Sequence, residues 1–343
     1  MKINIKKISE LTGYSPATVS NAISGRRTVS REASDKIMEV AREYGFLDHV
    51  PVKKIKFVNF KDSGTICAET PFFTAVIEGV TKESRRLGYE VTLCTLSKQQ
   101  EDYEEALEQL LNETGCAILL LATEMTEEDA RPFERFQGPL VMLDCSMENM
   151  KFHTVFHSNT ESVIQATEYL IECGHREIGY LAGNIRIKNF KDRQVGYEQV
   201  LERHKIAVDS DYRFFLTPTV EGAYIDMKEQ LDFRKKLPTA FIADNDNIAL
   251  GAIRALKQHG YKIPEEISII GFDDIPFCTI SSPALTTIRV HKEKFGQIAL
   301  KRLVELILEP KKEDVRTKIQ ICDELIVRDS VKKLNDTQEN AER

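Results

Sequence analysis

The chain has 343 residues, 42% hydrophobic and 29% charged, with a net charge of −7: enough length for two or three domains, and the composition of a globular protein rather than a disordered or fibrous one. No apolar run reaches the roughly 18 residues of a membrane span, and the charged start "MKINIKKISELTG" has no continuous apolar stretch of the kind that marks a secretory signal. Seven cysteines, without a C-x-x-C pair, give neither a disulfide framework nor a zinc site, so the expectation is a cytoplasmic protein with reduced thiols, no metal, no cofactor and no membrane partner.

The charge is unevenly spread. Residues 1–46 hold eight Lys/Arg against five Asp/Glu, so a small basic head precedes a larger acidic body, and only the head is suited to a polyanion. Three helices fit in this head. Ile5, Ile8 and Leu11 form an apolar stripe in the first. Gly13 permits a sharp reversal, Ser15 is an N-cap and Pro16 suits the first position of a second helix. Val19 and Ile23 face inward from it, and Gly25 ends it. A third helix starts after Ser30 and turns Ala33, Ile37, Val40 and Ala41 inward.

Two helices joined by a glycine turn and braced by a third make a helix-turn-helix arrangement. The outward face of the second helix shows Pro16, Ala17, Thr18, Ser20, Asn21 and Ser24, short side chains that let it lie deep in a major groove. Ser and Thr can bond phosphate oxygens, Asn can pair with adenine, and Arg26 and Arg27 follow where the chain would leave the groove. The alternative is a three-helix packing module without a ligand.

The stretch "IKKISELTGYSPATVSNAISGRRTVSREASDKIMEVAREYGF" resembles the DNA-binding head of the lactose/galactose-repressor family of bacterial transcription regulators, with Tyr14, Ser15, Thr18, Val19, Ser20, Gly25, Val29 and Ser30 at matching spacing. The resemblance implies that Pro16, Ala17 and Asn21 read base edges, and that Ser15, Thr18, Ser20 and Ser30 touch phosphates. Asn21 stands where the family commonly has Arg, so the operator preference should differ. The family's hinge helix, which kinks DNA from the minor groove, has no match. This chain reads "YGFLDHVPVKKIKFVNF", with an extended Val50-Pro51-Val52, and no such helix is expected over 49–54.

From Lys54 on, apolar strand-like runs alternate with amphipathic helix-like ones, first "IKFVNF" through "PLVMLD", then "ESVIQATEYLIECG" through "ISIIGFDD". This argues for an α/β core of two doubly wound parallel-sheet lobes behind an all-α head. Ligands of such folds bind at the carboxyl ends of the strands, here in a cleft between the lobes. "PFF", "GHREIGYLAG", "RQVGY", "NDNIALGA" and "GFDDIPF…SPALTTI" resemble the family's effector core, itself similar to periplasmic sugar-binding proteins. The expected domains are the head over 1–48, the core over 55–330 and a disordered polar tail over 331–343. Within the core, one lobe takes about 55–158 with 289–320, and the other 159–288 with 321–330.

Sugar recognition needs planar hydrogen-bonding groups and aromatic faces. The resemblance places Phe72, Phe73, Arg193, Asn245, Asp246 and Asp273 in that role. Asp144 joins them, at the end of its own strand. Against this stand plainer readings: Asp246 as a helix cap, Asp273 and Asp274 as loop organisers, the phenylalanines as core, and Arg193 as a solvated helix residue. Cys145, Thr70 and the "HSN" at 157–159 depart from the family pattern, so the ligand stays a sugar or sugar phosphate by default. The function implied is a homodimeric repressor that binds palindromic operator DNA under control of that metabolite. A solute-binding protein would lack the DNA head. An enzyme would need a G-x-G-x-x-G, P-loop or G-x-S-x-G motif, and none occurs. No catalytic residue is nominated.

Overall fold

The computed structural model describes residues 4–24, 29–44, 46, 52, 54–66, 71–150, 152–233, 236–308 and 315–334, without the side chains of Ser24, Arg31, Asp35 and Arg42. The linker residues 49–51 and 53, and tail residues 335–343, lie outside them. The chain divides into two compact units, one of residues 1–63, 78–155 and 296–319, the other of 64–77, 156–295 and 320–343. Among the described residues no helix is long and apolar enough to cross a membrane.

The head holds α1 (Ile5–Thr12), α2 (Pro16–Ser24) and α3 (Arg31–Glu43). Asn4 caps α1 by accepting from the Lys7 amide at 3.0 Å. Gly13 ends the helix at φ +79°, a conformation that costs an L side chain energy. Ser15 accepts from the Thr18 amide at 3.1 Å, and its carbonyl accepts from Val19. Ile8, Val19, Ile23, Ile37, Met38 and Ala41 form the small core. Leu11, placed inward by its spacing, is instead exposed, and Thr12 is buried with its hydroxyl returned to the Ile8 carbonyl at 2.8 Å.

In the first unit the sheet is built from β1 (Lys54–Lys61), β2 (Val91–Ser97), β3 (Cys116–Leu121), β4 (Leu140–Leu143), β5 (His153–His157) and β11 (Lys318–Ile321). Their order is β2-β1-β3-β4-β5-β11, and the pairings among β1 to β5 are parallel. Every residue of β3, "CAILLL", is buried. Between its strands run α4 (Pro71–Leu87), α5 (Tyr103–Asn112) and the short α6 (Glu127–Ala130). Helices cover sheets of this kind on both faces, which is why their strands read as unbroken apolar runs.

The second unit repeats this winding. Its strands are β6 (Ile178–Gly183), β7 (Arg213–Leu216), β8 (Ala240–Ala243), β9 (Ser268–Asp273), β10 (Thr286–Arg289) and β12 (Glu324–Ile326), in the order β7-β6-β8-β9-β10-β12. Only β12 runs antiparallel, against β10. The helices are α7 (Asn159–Glu172), α8 (Lys188–Arg203), α9 (Val220–Leu231), α10 (Asp246–Gln258) and the single turn α11 (Phe277–Ile280). Residues 64–77, assigned to the first lobe by sequence, cluster with this unit, where Ile66 packs on Ile187 and Phe190.

The polar segment after β12 is also ordered further than its composition indicates. The Ser330 hydroxyl donates to the Ile269 carbonyl at 2.6 Å, and the Leu334 amide to the Cys173 carbonyl at 2.7 Å. Residues 331–334 are therefore held by backbone pairing, and the disorder expected for them does not occur. His175 anchors the same segment. A carbonyl can only accept, so the contact to Lys332 O at 3.1 Å fixes a proton on Nε2, while Nδ1 lies 2.9 Å from the Thr239 hydroxyl, which also reaches the Glu177 carbonyl at 3.1 Å. Burial holds this imidazole below its ordinary pKa of 6.5.

The unfolded chain therefore binds the extra proton more readily than the fold does, and stability is lost as the pH falls below about 6.5. Melting curves from pH 7.5 down to 5 should show wild type losing more stability than His175→Gln; parallel curves would refute this.

Candidate effector site and DNA-reading face

The strand order of the second unit reverses between β6 and β8, the point where doubly wound sheets take their ligands. Asp244 sits there, directly after β8, and is wholly buried. Its carboxylate accepts from the Tyr180 hydroxyl at 2.6 Å and the Gly183 amide at 2.7 Å, and is ion-paired to Arg186. Burial raises the pKa of this carboxyl, and the Arg186 charge opposes the shift.

Arg193 reaches the same place from α8. Gly196 is what lets α8 come close to α7, because a Cβ there would lie 2.4 Å from the Thr160 carbonyl oxygen. The close approach brings Arg193 Nε to Asn159 Oδ1 at 2.8 Å, while Nη1 donates to the Asp244 carbonyl. Asn159 is itself steadied by Asn189 at 3.2 Å. The guanidinium carbon lies over Phe272, 3.5 Å from the ring centre, and only 5% of the residue is exposed. Among the described residues, Nη2 has no hydrogen-bond acceptor in reach; the nearest carboxylate oxygen is Asp273 Oδ1 at 4.0 Å. Asp273 ends β9 at φ +119°, strained backbone of the kind that collects at binding sites.

The other nominated residues have structural work. Asn245 caps α10 by accepting from the Ile248 amide at 2.9 Å. Asp246 is fully buried, accepting from the Thr287 hydroxyl at 2.6 Å and the Ile275 amide at 3.0 Å. Burial, and next the neighbouring Asp273 charge, push its pKa up to about 7. Asp274 is held by Arg289 at 2.7 Å and Arg328 at 2.6 Å. Phe72 and Phe73 are both buried and meet edge to face at 5.0 Å; Phe72 packs on His157, which stacks near Phe295 and bonds Asp323 at 3.2 Å. In the first unit Asp144 is buried after β4 at φ +60° and accepts from the Thr123 hydroxyl at 2.7 Å. Thus the structure gathers Arg193 and Asp273, and adds Asn159, Asp244 and Arg186, which the sequence reading did not nominate.

On the head, Ser15, Pro16 and Ala17 are exposed and Thr18, Ser20 and Asn21 half-buried along α2, while Val19 and Ile23 are inside. Ser30 is exposed and caps α3, its hydroxyl 3.4 Å from the Ala33 amide. The short polar side chains thus share the face opposite the core. Arg26 and Arg27 lie outside the described residues.

Comparison with known proteins agrees with this architecture. A family model for a periplasmic binding protein-like domain matches residues 167–331. The HTH-type transcriptional repressor PurR of Pasteurella multocida (strain Pm70) is 32% identical over 333 residues, covering 96% of this chain and 98% of that one. Among solved structures, the transcriptional regulator CelR–cellobiose complex aligns with a TM-score of 0.73 at 23% identity, over 96% of this chain and 99% of its own. The lac repressor dimer bound to operator and the anti-inducer ONPF aligns with a TM-score of 0.69 at 20% identity, over 97% and 100%. With such a relative spanning nearly its whole length, the chain belongs to the lactose/galactose-repressor family of transcriptional repressors, which are not enzymes.

Proposed function

We propose that the protein is a cytoplasmic homodimer that holds a palindromic operator through two copies of α2, and that a sugar or sugar phosphate bound at Arg193 and Asp273 sets that affinity. The head over 1–48 serves the DNA and the core over 55–330 the metabolite and the dimer. Ser15, Thr18, Ser20 and Ser30 take phosphate contacts, with Arg26 and Arg27; Pro16, Ala17 and Asn21 meet base edges. One head neutralises few phosphates, so a two-fold pair matching two half-sites supplies the affinity. Similarity to a repressor dimer on its operator and to a regulator–cellobiose complex supports both halves of this reading.

The observation that carries the effector half is the Nη2 edge of Arg193, which meets no acceptor among the described residues yet is not sealed from solvent, so a ligand oxygen can reach it. The 4.0 Å from Nη2 to Asp273 suits a hydroxyl lying about 2.8 Å from each, accepting from the arginine and donating to the carboxylate. A hydroxyl-rich ligand meets that requirement best.

Melting curves against a panel of sugars and sugar phosphates test it. One compound should raise the midpoint, since a ligand at about 100 times its Kd adds about 2.7 kcal/mol to the folded state. Arg193→Met should abolish the shift while the operator is still bound. A panel without effect, or a shift undiminished in Arg193→Met, would remove this reading.

A further inference from the structure

The same geometry assigns a role to the carboxylate beneath Arg193: we propose that Asp244 is the positioning residue of the effector site, its side chain clamped by Tyr180, Gly183 and Arg186 so that its backbone carbonyl fixes Arg193. This rests on the reading of Arg193 as the effector-binding group.

The clamp is defined by its donors. Tyr180 gives a hydroxyl, Gly183 an amide and Arg186 a guanidinium, and both carboxylate oxygens are used. Only the ionised carboxylate accepts from all three. A protonated one would keep Tyr180 only by turning that hydroxyl round to accept, and would lose the charge that pairs with Arg186. Burial pushes Asp244 toward that protonated form and Arg186 resists it. Arg186 is therefore the counter-charge of the clamp rather than a second ligand group. Its terminal nitrogens are already committed, Nη1 to Asp244 and Nη2 to the Phe190 carbonyl at 3.0 Å and Gln194 Oε1 at 2.8 Å.

From the clamp the constraint passes along one residue. With the Asp244 side chain held from β6 and the loop after it, the Asp244 carbonyl keeps its direction and accepts from Arg193 Nη1. Asn159 holds Nε and Phe272 covers one face, so Nη2 is the edge left for a ligand. Binding geometry has to be kept within about half an ångström by such supporting contacts. Loss of the clamp would leave the guanidinium charged as before but free to tilt.

The side-chain Nε–H signal of Arg193, observed in the full-length protein labelled with 15N-arginine and assigned by its disappearance in Arg193→Lys, reads this directly. Asp244→Asn and Arg186→Gln should each speed its exchange with solvent by about tenfold or more, although Asn159, its own acceptor, is untouched. Combining the two substitutions removes both charges and lets the two amides pair, so exchange should return toward wild type. Unchanged exchange in the single variants, even with a lowered melting point, would make the clamp merely structural and overturn the proposal. A double variant as disturbed as either single would overturn the counter-charge. Should Asp244→Asn fail to fold, Arg186→Gln, whose side chain is 21% exposed, decides alone. No metabolite enters the measurement, so a failed sugar screen leaves this result standing.

Discussion

In the homodimer proposed above, Phe277→Ser combined with Ile280→Asp should separate the two copies and weaken operator binding at least a hundredfold. Both side chains belong to α11, and they are 51% and 75% exposed. The turn is short and firmly placed. The Ser281 amide returns to the Phe277 carbonyl at 3.0 Å, the Leu285 amide to Cys278 at 2.8 Å, and Lys257 from the end of α10 donates to the Ser282 carbonyl at 2.9 Å. Two large apolar groups kept pointing into water on rigid backbone are a cost that a second copy would remove.

Under two-fold symmetry each substitution acts twice, and central apolar anchors contribute roughly 1–4 kcal/mol each. A dimer destabilised by several kcal/mol falls apart at micromolar concentration, and a single head then binds with little more than its few phosphate contacts. Sedimentation velocity reads the first effect and a fluorescence-anisotropy titration the second. A double variant that still sediments as a dimer would locate the interface elsewhere.

The second large effect is expected at Asp246. Its carboxyl keeps a proton up to about pH 7 in the fold, against an ordinary value of 3.8. The stability it contributes is thus complete below about pH 4 and is lost as the pH rises through 7, the reverse of a salt-bridged carboxylate. Asp246→Asn leaves the Ile275 amide an acceptor and offers the Thr287 hydroxyl a donor, without a charge to bury. The variant should melt close to wild type at pH 5 and well above it at pH 8, by an amount on the order of 2 kcal/mol or more. His175, whose contribution moves the other way below 6.5, is common to both proteins and cancels in the comparison. A wild-type advantage at pH 8 would mean that Asp246 is ionised and useful there.

How far the sequence discloses this molecule depends on how local each signal is. Caps and turns are local, so Gly13, Ser15 and Ser30 bound the head helices where the reading places them, and the apolar runs of β3, β4 and β8 are unmistakable. The strand "RFFL" and the helix "VEGAYIDMKEQL" went unread. The first has four residues with Phe215 turned to solvent, and the second carries Gly222 and exposed Ile225, which blur its period. Arg193 and Asp273 were legible through the resemblance alone. The plainer alternative put the helix cap on Asp246, whereas Asn245 caps α10 and Asp246 accepts from Thr287 and Ile275; a cap and a ligand group use the same residue types, so the sequence does not separate them. Asp244 and Arg186 could not be found from their neighbours in sequence: they are 58 residues apart, and their pairing exists only once β6 and β8 lie side by side.

Each sheet is finished by a short strand from the same late segment, β11 at the edge beside β5 and β12 at the edge beside β10. A polypeptide that ends between β10 and Lys318 therefore bares an unpaired backbone row on both sheets at once, a template for sticking to other chains. Proteolytic nicking in that region should yield insoluble fragments instead of a working half.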